Sequence, residues 1–224
     1  MILELFAHIL SYPTEDLKKK TARLIELLEQ SMIYNSNKNI VSAVDHLKVF
    51  YLYLEKTNIR EQEEVYTQTF EVQSITTLDV GYILFGDDYK RAELLVNLNQ
   101  EIVRYAVNTS IELADHLPNI LKLLHKMEDD ILKSDLINIV VYPVLKRIIK
   151  DFDSKIIESK NKVYLKHQKT LIEKSKEYRD IYVNPLLALK YVLEAIYEAE
   201  EIVIEDKSKG FLSNIEQELN IEKI

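Results

Sequence analysis

Histidines and paired acidic residues are the side chains in this sequence that could support acid–base or metal chemistry. Two histidines follow a glutamate by four residues, Glu4/His8 and Glu112/His116. This spacing can place both side chains on one helix face, but one such pair supplies a metal with only two ligands. The sequence contains neither the HExxH zinc motif nor the Glu-x-x-His spacing of di-iron bundles. We therefore expect the histidines to occupy ordinary surface or core positions, and we expect no metal site.

The acidic pairs Asp87-Asp88 and Asp129-Asp130 resemble carboxylate pairs that hold Mg²⁺, but both stand where helices should begin or end. Aspartate is a favoured N-cap residue, so capping accounts for both pairs. The sequence has no cysteine, which excludes thiol chemistry, and it has no Gly-rich phosphate loop or GxSxG elbow. These observations predict a protein that is not an enzyme. An all-helical metal-dependent enzyme built on the carboxylates and histidines stays open as an alternative.

The composition favours an all-α fold. Only 3 glycines and 4 prolines occur among 224 residues, which is too few for the tight turns of a strand-rich fold. The net charge of −8 argues against nucleic-acid binding and favours a basic partner. No apolar run approaches the roughly 20 residues that span a bilayer. The apolar start carries Glu4 and no basic residues, so it is not a secretory signal, and we expect a cytoplasmic protein.

Apolar residues recur with helical periodicity along most of the chain. The predicted helices cover residues 2–10, 14–32, 41–58, 60–70, 78–85, 88–105, 115–127, 135–148 and 186–204. Residues 150–180 are highly charged, and they are either a long half-solvated helix or a mobile segment. We predict one helical domain over residues 1–204 and a polar tail over residues 205–224.

Individual residues predict where several helices begin, end or bend. Gly86 should end one helix as a C-cap, and Asp115 is a plausible N-cap for a later one. Pro143 should kink or break the helix that contains it. Asn184-Pro185 is typical of a helix start, with a cap residue followed by proline at the first helical position.

Three short segments form a pattern that is more specific than helix chemistry. The first holds Tyr66, Thr69, Phe70 and Glu71, the second Gly86, Asp87 and Arg91, and the third Glu112, Leu113, Asp115, His116, Leu117 and Pro118. This pattern resembles the NarJ branch of the NarJ/TorD/DmsD family, the assembly chaperones of molybdenum oxidoreductases such as nitrate reductase. The resemblance extends over residues 63–127. It departs from the family pattern at Ala114, where the family has proline, and at Ala92, where the family often has glycine.

The resemblance implies a single-domain helical bundle of the TorD-like type, with about eight to ten helices. It implies a chaperone without a cofactor of its own, which binds the N-terminal segment of a molybdoenzyme catalytic subunit until the molybdopterin cofactor is inserted. It places peptide binding at Tyr66, Phe70, Asp87, Arg91, Glu112, Asp115, His116, Leu117 and Pro118. A homodimer stays open, and so does a structural adaptor without a chaperone role.

Each of these residues also has a structural interpretation. Asp115 could cap the helix that follows it, and Arg91 could pair with Asp87 one turn away on a helix. Tyr66 and Phe70 lie one turn apart on one helix face, a position that suits the core as well as a groove.

Overall fold

Helices make up most of the chain in the computed structural model, which describes residues 1–109, 111–158 and 178–200. No strand occurs in these ranges, so the all-α prediction is confirmed. The helices are α1 (Ile2–Ile9), α2 (Leu17–Glu29), α3 (Lys38–Lys56), α4 (Ile59–Phe70), α5 (Val80–Phe85), α6 (Tyr89–Arg104), α7 (Leu117–Lys126), α8 (Asp130–Asp135), a π-helical segment (Leu136–Val141), α9 (Tyr142–Lys150) and α10 (Val183–Ile196). The predicted tail, residues 159–177 of the charged segment and residues 201–204 lie outside the described ranges. No helix within those ranges is both long and apolar enough to cross a membrane.

Side-chain caps fix several helix starts where the sequence predicts them. Asn58 and Glu61 form a complete capping box at the start of α4. Asp88 accepts a hydrogen bond from the Lys90 amide, and Asp129 accepts from the amides of Ile131 and Leu132. Both predicted acidic pairs therefore contribute a helix cap. Gly86 ends α5 with a φ of 60°, a left-handed conformation that favours glycine.

Three predicted helix starts are wrong. His116, not Asp115, precedes α7, because the Asp115 side chain is used elsewhere. The last described helix begins at Val183, ahead of Asn184, whose side chain bonds instead to His46 and to the Ile181 carbonyl. The helix predicted from Asp135 begins at Asp130.

The predicted disturbance near Pro143 takes the form of a π-helical segment. Leu136–Val141 adopts wider π turns just before Pro143, and all six of its residues are buried. Proline lacks the amide proton of the regular ladder, and its ring collides with the carbonyl four residues earlier. A π turn is one way to accommodate such a residue within a continuous helix.

The core centres on α10, which packs along α3 and against α9, while α1 packs against α2 and α7. Pro185, Leu186, Ala188, Leu189, Val192 and Leu193 of α10 are buried, as the sequence predicts for a central helix. Next to them, the Tyr182 ring lies 5.2 Å from Phe50, 5.6 Å from Tyr66 and 5.1 Å from Phe70. Aromatic pairs at these separations add stability beyond the area that they bury.

Two predicted apolar faces are partly wrong. Helical spacing predicts one buried stripe of Leu17, Leu24, Leu28 and Met32; the three leucines are buried in α2, but Met32 is fully exposed after the end of that helix. On α6 the buried residues are Leu94, Leu98 and Ile102, whereas Ala92 is exposed and Leu95 is only partly buried. The spacing of apolar residues predicts an inward face of Ala92, Leu95, Leu98, Ile102 and Tyr105, so Leu98 and Ile102 are confirmed and the face is rotated toward Leu94.

We predict that Tyr182→Phe raises the free energy of unfolding by about 1–2 kcal/mol, because the removed hydroxyl is buried without a partner. The Tyr182 side chain is completely buried, and its hydroxyl has no hydrogen-bond partner among the described residues. Tyr66→Phe is the matched control, since the Tyr66 hydroxyl donates to the Leu10 carbonyl at 3.3 Å. Urea unfolding should show a loss of about 0.5–1.5 kcal/mol for that control. A free energy of unfolding that falls as much in Tyr182→Phe as in Tyr66→Phe would contradict this prediction.

Candidate functional site

Two loops meet in antiparallel fashion ahead of α5 and α7. The Val80 amide donates to the Asp115 carbonyl at 2.9 Å, and the Leu117 amide donates to the Leu78 carbonyl at 2.8 Å. These two bonds form an isolated bridge between Asp79 and His116. The bridge brings Asp79 and Asp115 close enough to contact the same side chain of α6.

Arg91 of α6 links both aspartates, and we call Arg91, Asp79 and Asp115 the Arg91 clasp. Arg91 Nε donates to Asp115 Oδ2 at 2.8 Å, and Arg91 Nη2 donates to Asp79 Oδ2 at 3.4 Å. The Asp115 side chain is completely buried, whereas the Asp79 side chain is 34% exposed. The predicted pair of Arg91 with Asp87 does not form; Arg91 instead reaches 24 residues along the chain to Asp115.

Charge and burial compete in the clasp. Burial and the neighbouring Asp115 carboxylate raise the pKa of Asp79, against the opposing effect of Arg91. Burial lowers the pKa of Arg91, but its hydrogen bond to Asp115 and the charges of both aspartates raise it overall. One guanidinium therefore serves two carboxylates, and the clasp carries a net negative charge.

Gly81 makes the clasp sterically possible. An added Cβ at this position would lie 2.6 Å from Asp115 Oδ2 and 3.1 Å from Arg91 Cγ. Such a distance to an oxygen is well inside van der Waals contact, and both neighbours are held by their ion pair. Nothing in the sequence alone singles out Gly81. The requirement for a residue without a Cβ at this position arises only when α5, α6 and the Asp115 loop pack together.

Asn119 holds the loop that carries Asp115 and His116. Its side-chain amide donates to the carbonyls of Glu112 at 3.2 Å and Leu113 at 3.0 Å. Asn119 is itself completely buried. Sequence reasoning also missed this residue, since one asparagine inside an apolar helix carries no distinctive signal.

His116 is buried beside the clasp. Its side chain has little contact with solvent, and its Nδ1 has no hydrogen-bond partner within the described ranges. Burial lowers the pKa of His116 to about 4, and the Asp115 charge opposes that change only partly. The imidazole is therefore neutral at pH 7.

We predict that His116 makes the protein less stable as the pH falls below the ordinary histidine pKa of about 6.5. The unfolded chain takes up a proton there, whereas the folded His116 stays neutral down to about pH 4. Between pH 7 and pH 5 the free energy of unfolding should fall by about 2 kcal/mol more in the wild type than in His116→Gln. Urea unfolding at both pH values measures this difference. An NMR titration that places the His116 pKa near 6.5 would contradict the prediction.

The other predicted site residues divide into a buried group and a surface group. Tyr66 and Phe70 are buried, with ring centroids 5.0 Å apart, and Leu117 and Pro118 form the buried first turn of α7. Asp87 and Glu112 are exposed. The structure therefore brings Arg91 and Asp115 together with His116 beside them, and it leaves Asp87 outside the clasp.

Three carboxylates lie around Tyr66 where it approaches the surface. Burial raises the pKa of Tyr66, and the charges of Glu71, Glu112 and Asp79 raise it further. Exposed apolar side chains occur on the loop that leads from α4 to Asp79, on α5 and on the loop before Asp115, namely Val72, Tyr82 and Leu113. An acidic surface interspersed with apolar groups suits a basic, amphipathic partner.

No protein-family model matches this chain, and no curated protein matches it. Within the described ranges, no group of three histidine or acidic side chains is arranged to hold a metal ion. The clasp and its surface are therefore interpreted from their own chemistry.

Proposed function

We propose that this protein is a cytoplasmic chaperone that binds the N-terminal segment of a molybdoenzyme catalytic subunit during cofactor insertion and assembly. The observation that carries the proposal is the Arg91–Asp115 ion pair. It joins the second and third segments of the NarJ-like pattern. The charge of Asp79 in the clasp also contributes to the raised pKa of Tyr66 in the first segment. One ion pair thus links two segments of the pattern that lie 24 residues apart in the sequence, which supports the proposal.

The surface around the clasp has the chemistry that such a segment requires. Glu71, Glu112 and Asp79 supply negative charge, and Val72, Tyr82 and Leu113 supply exposed apolar area. Two to four apolar anchors, each worth about 1.5–3 kcal/mol when buried, leave roughly micromolar affinity after the cost of ordering the peptide. Affinity in that range allows the chaperone to release its client.

The test is a titration of the full-length protein with a synthetic peptide that has the sequence of the catalytic subunit's N-terminal segment. Isothermal titration calorimetry measures the binding. We expect roughly micromolar binding that weakens as the salt concentration rises, because exposed charges are screened. Glu112→Lys should weaken binding. Asp45→Lys, an equal charge change at an exposed position of α3, should not. Absence of binding to this peptide and to the apo catalytic subunit would refute the proposal.

A further inference from the structure

The two carboxyl groups of the Arg91 clasp have four oxygens that can accept hydrogen bonds, and Arg91 donates to two of them. Each aspartate gives one oxygen to Arg91, which leaves Asp115 Oδ1 and Asp79 Oδ1. Asp115 Oδ1 is buried without a partner among the described residues. Arg91 supplies one positive charge to two carboxyl groups, so a further cationic donor would improve the charge balance of the clasp.

Asp79 is the accessible member of this pair. It precedes α5, yet its side chain makes none of the cap hydrogen bonds common for aspartate at that position. Its contact with Arg91 is a long one of 3.4 Å, and about a third of the side chain is exposed. Asp115, in contrast, is completely buried and held at 2.8 Å, so Asp79 is the carboxylate that an incoming cation can reach.

An exposed aromatic ring, Tyr82, contacts the same guanidinium as Asp79. Tyr82 is three residues further along, close to one helical turn, and 46% of it is exposed. The Arg91 guanidinium carbon lies 5.6 Å from the centre of the Tyr82 ring. The ring already packs against one guanidinium, and a planar cation is the group that stacks well on such a surface.

We propose that Asp79, with the Tyr82 ring beside it, is the subsite that receives one arginine side chain of the partner segment. The inference rests on the proposed function and names one specific contact within it. A second guanidinium would balance the two carboxylates of the clasp, and Arg91 would keep its bond to Asp115. Arginine is favoured over lysine because its planar head can both stack on the ring and donate a pair of hydrogen bonds to a carboxylate.

A double-mutant cycle tests this contact. The same N-terminal peptide is prepared with each arginine replaced in turn by citrulline, which keeps the shape of the side chain and removes its charge. We expect one citrulline peptide to bind wild-type protein about fivefold to tenfold more weakly. That peptide and the parent should bind Asp79→Asn equally. Asp45→Asn is the charge-matched control and should retain the full difference.

Tyr82→Leu provides a second measurement, since the replacement of a half-exposed ring should leave the fold intact. In wild-type protein, lysine in place of the selected arginine should weaken binding; in Tyr82→Leu this preference should shrink. If the parent peptide binds but no citrulline changes its affinity, the subsite is refuted while the proposed function stands. The same holds if the citrulline effect persists in Asp79→Asn. If no peptide binds at all, the proposed function falls and the subsite with it.

Discussion

Replacement of Arg91 by methionine should lower the free energy of unfolding by about 3–5 kcal/mol, the cost of removing one partner from a buried ion pair. The Asp115 side chain is completely buried and the Arg91 side chain is 17% exposed, so solvent cannot compensate the carboxylate that is left. Methionine retains most of the apolar stem of arginine and has good helix propensity. The loss therefore reports the missing charge and hydrogen bonds. Urea or thermal unfolding at pH 7 measures it.

Two controls sharpen this prediction. Arg104→Met removes an exposed pair with Glu101, whose two side chains are 62% and 27% exposed, and should cost less than about 1 kcal/mol. The double variant Arg91→Met/Asp115→Leu should recover much of the loss, because an apolar pair of similar volume can replace a buried ion pair. If Arg91→Met is no worse than Arg104→Met, the clasp does not stabilise the fold.

Gly81→Ala should lower the free energy of unfolding by about 1–3 kcal/mol, although alanine favours helices. The new methyl group would lie 2.6 Å from Asp115 Oδ2 and 3.1 Å from a Leu94 methyl group. Asp115 cannot easily move aside, because it is completely buried and bonded to Arg91. The variant should also bind the partner peptide more weakly, since displacement of Asp115 disturbs Arg91 and Asp79.

Gly86→Ala is the matched glycine control. No atom lies within 4 Å of a Cβ added at Gly86, but its φ of +60° is unfavourable for alanine. Gly86→Ala should therefore lower the free energy of unfolding by about 1 kcal/mol through backbone strain alone, without an effect on the clasp. Thermal unfolding and peptide titration of both variants separate the two mechanisms. An intact clasp in a crystal structure of Gly81→Ala, with unchanged stability, would contradict the prediction.

Helix type and most helix positions could be predicted from the sequence because local signals determine them. Asn58 with Glu61, Asp88, Asp129 and Gly86 all act within one turn of their own position. Signals that depend on distant partners were misleading. Asn184 has the sequence signature of a cap, but its Oδ1 accepts a hydrogen bond from His46 Nδ1 across the fold.

The rotation of α6 shows where periodicity alone is insufficient. This helix carries two apolar stripes, one with Leu94, Leu98 and Ile102 and another with Tyr89, Val96 and Val103. The predicted face shares Leu98 and Ile102 with the buried stripe, but helical spacing alone does not fix the exact rotation of the helix. Contact with α5 and α7 selects the first stripe.

The candidate site could be predicted in part. The resemblance selected Arg91, Asp115 and His116, which lie together, but spacing along the chain suggested Asp87 as the partner of Arg91. Asp79 and Gly81 were missed, since their roles come from the bridge between two loops. A pair 24 residues apart leaves no periodic trace in one sequence.

The position of α10 in the core has a consequence for how the protein matures on the ribosome. Helix α3 is synthesised more than a hundred residues before Val183–Ile196, its most extensive packing partner. At about 5–20 residues per second, the apolar face of α3 waits several seconds for that partner to leave the exit tunnel. Ile40, Leu47 and Phe50 are fully buried in the finished fold, and during that interval α3 has α2 but not α10 to pack against. Release of Val183–Ile196 from the ribosome is therefore the step that completes the core around α3.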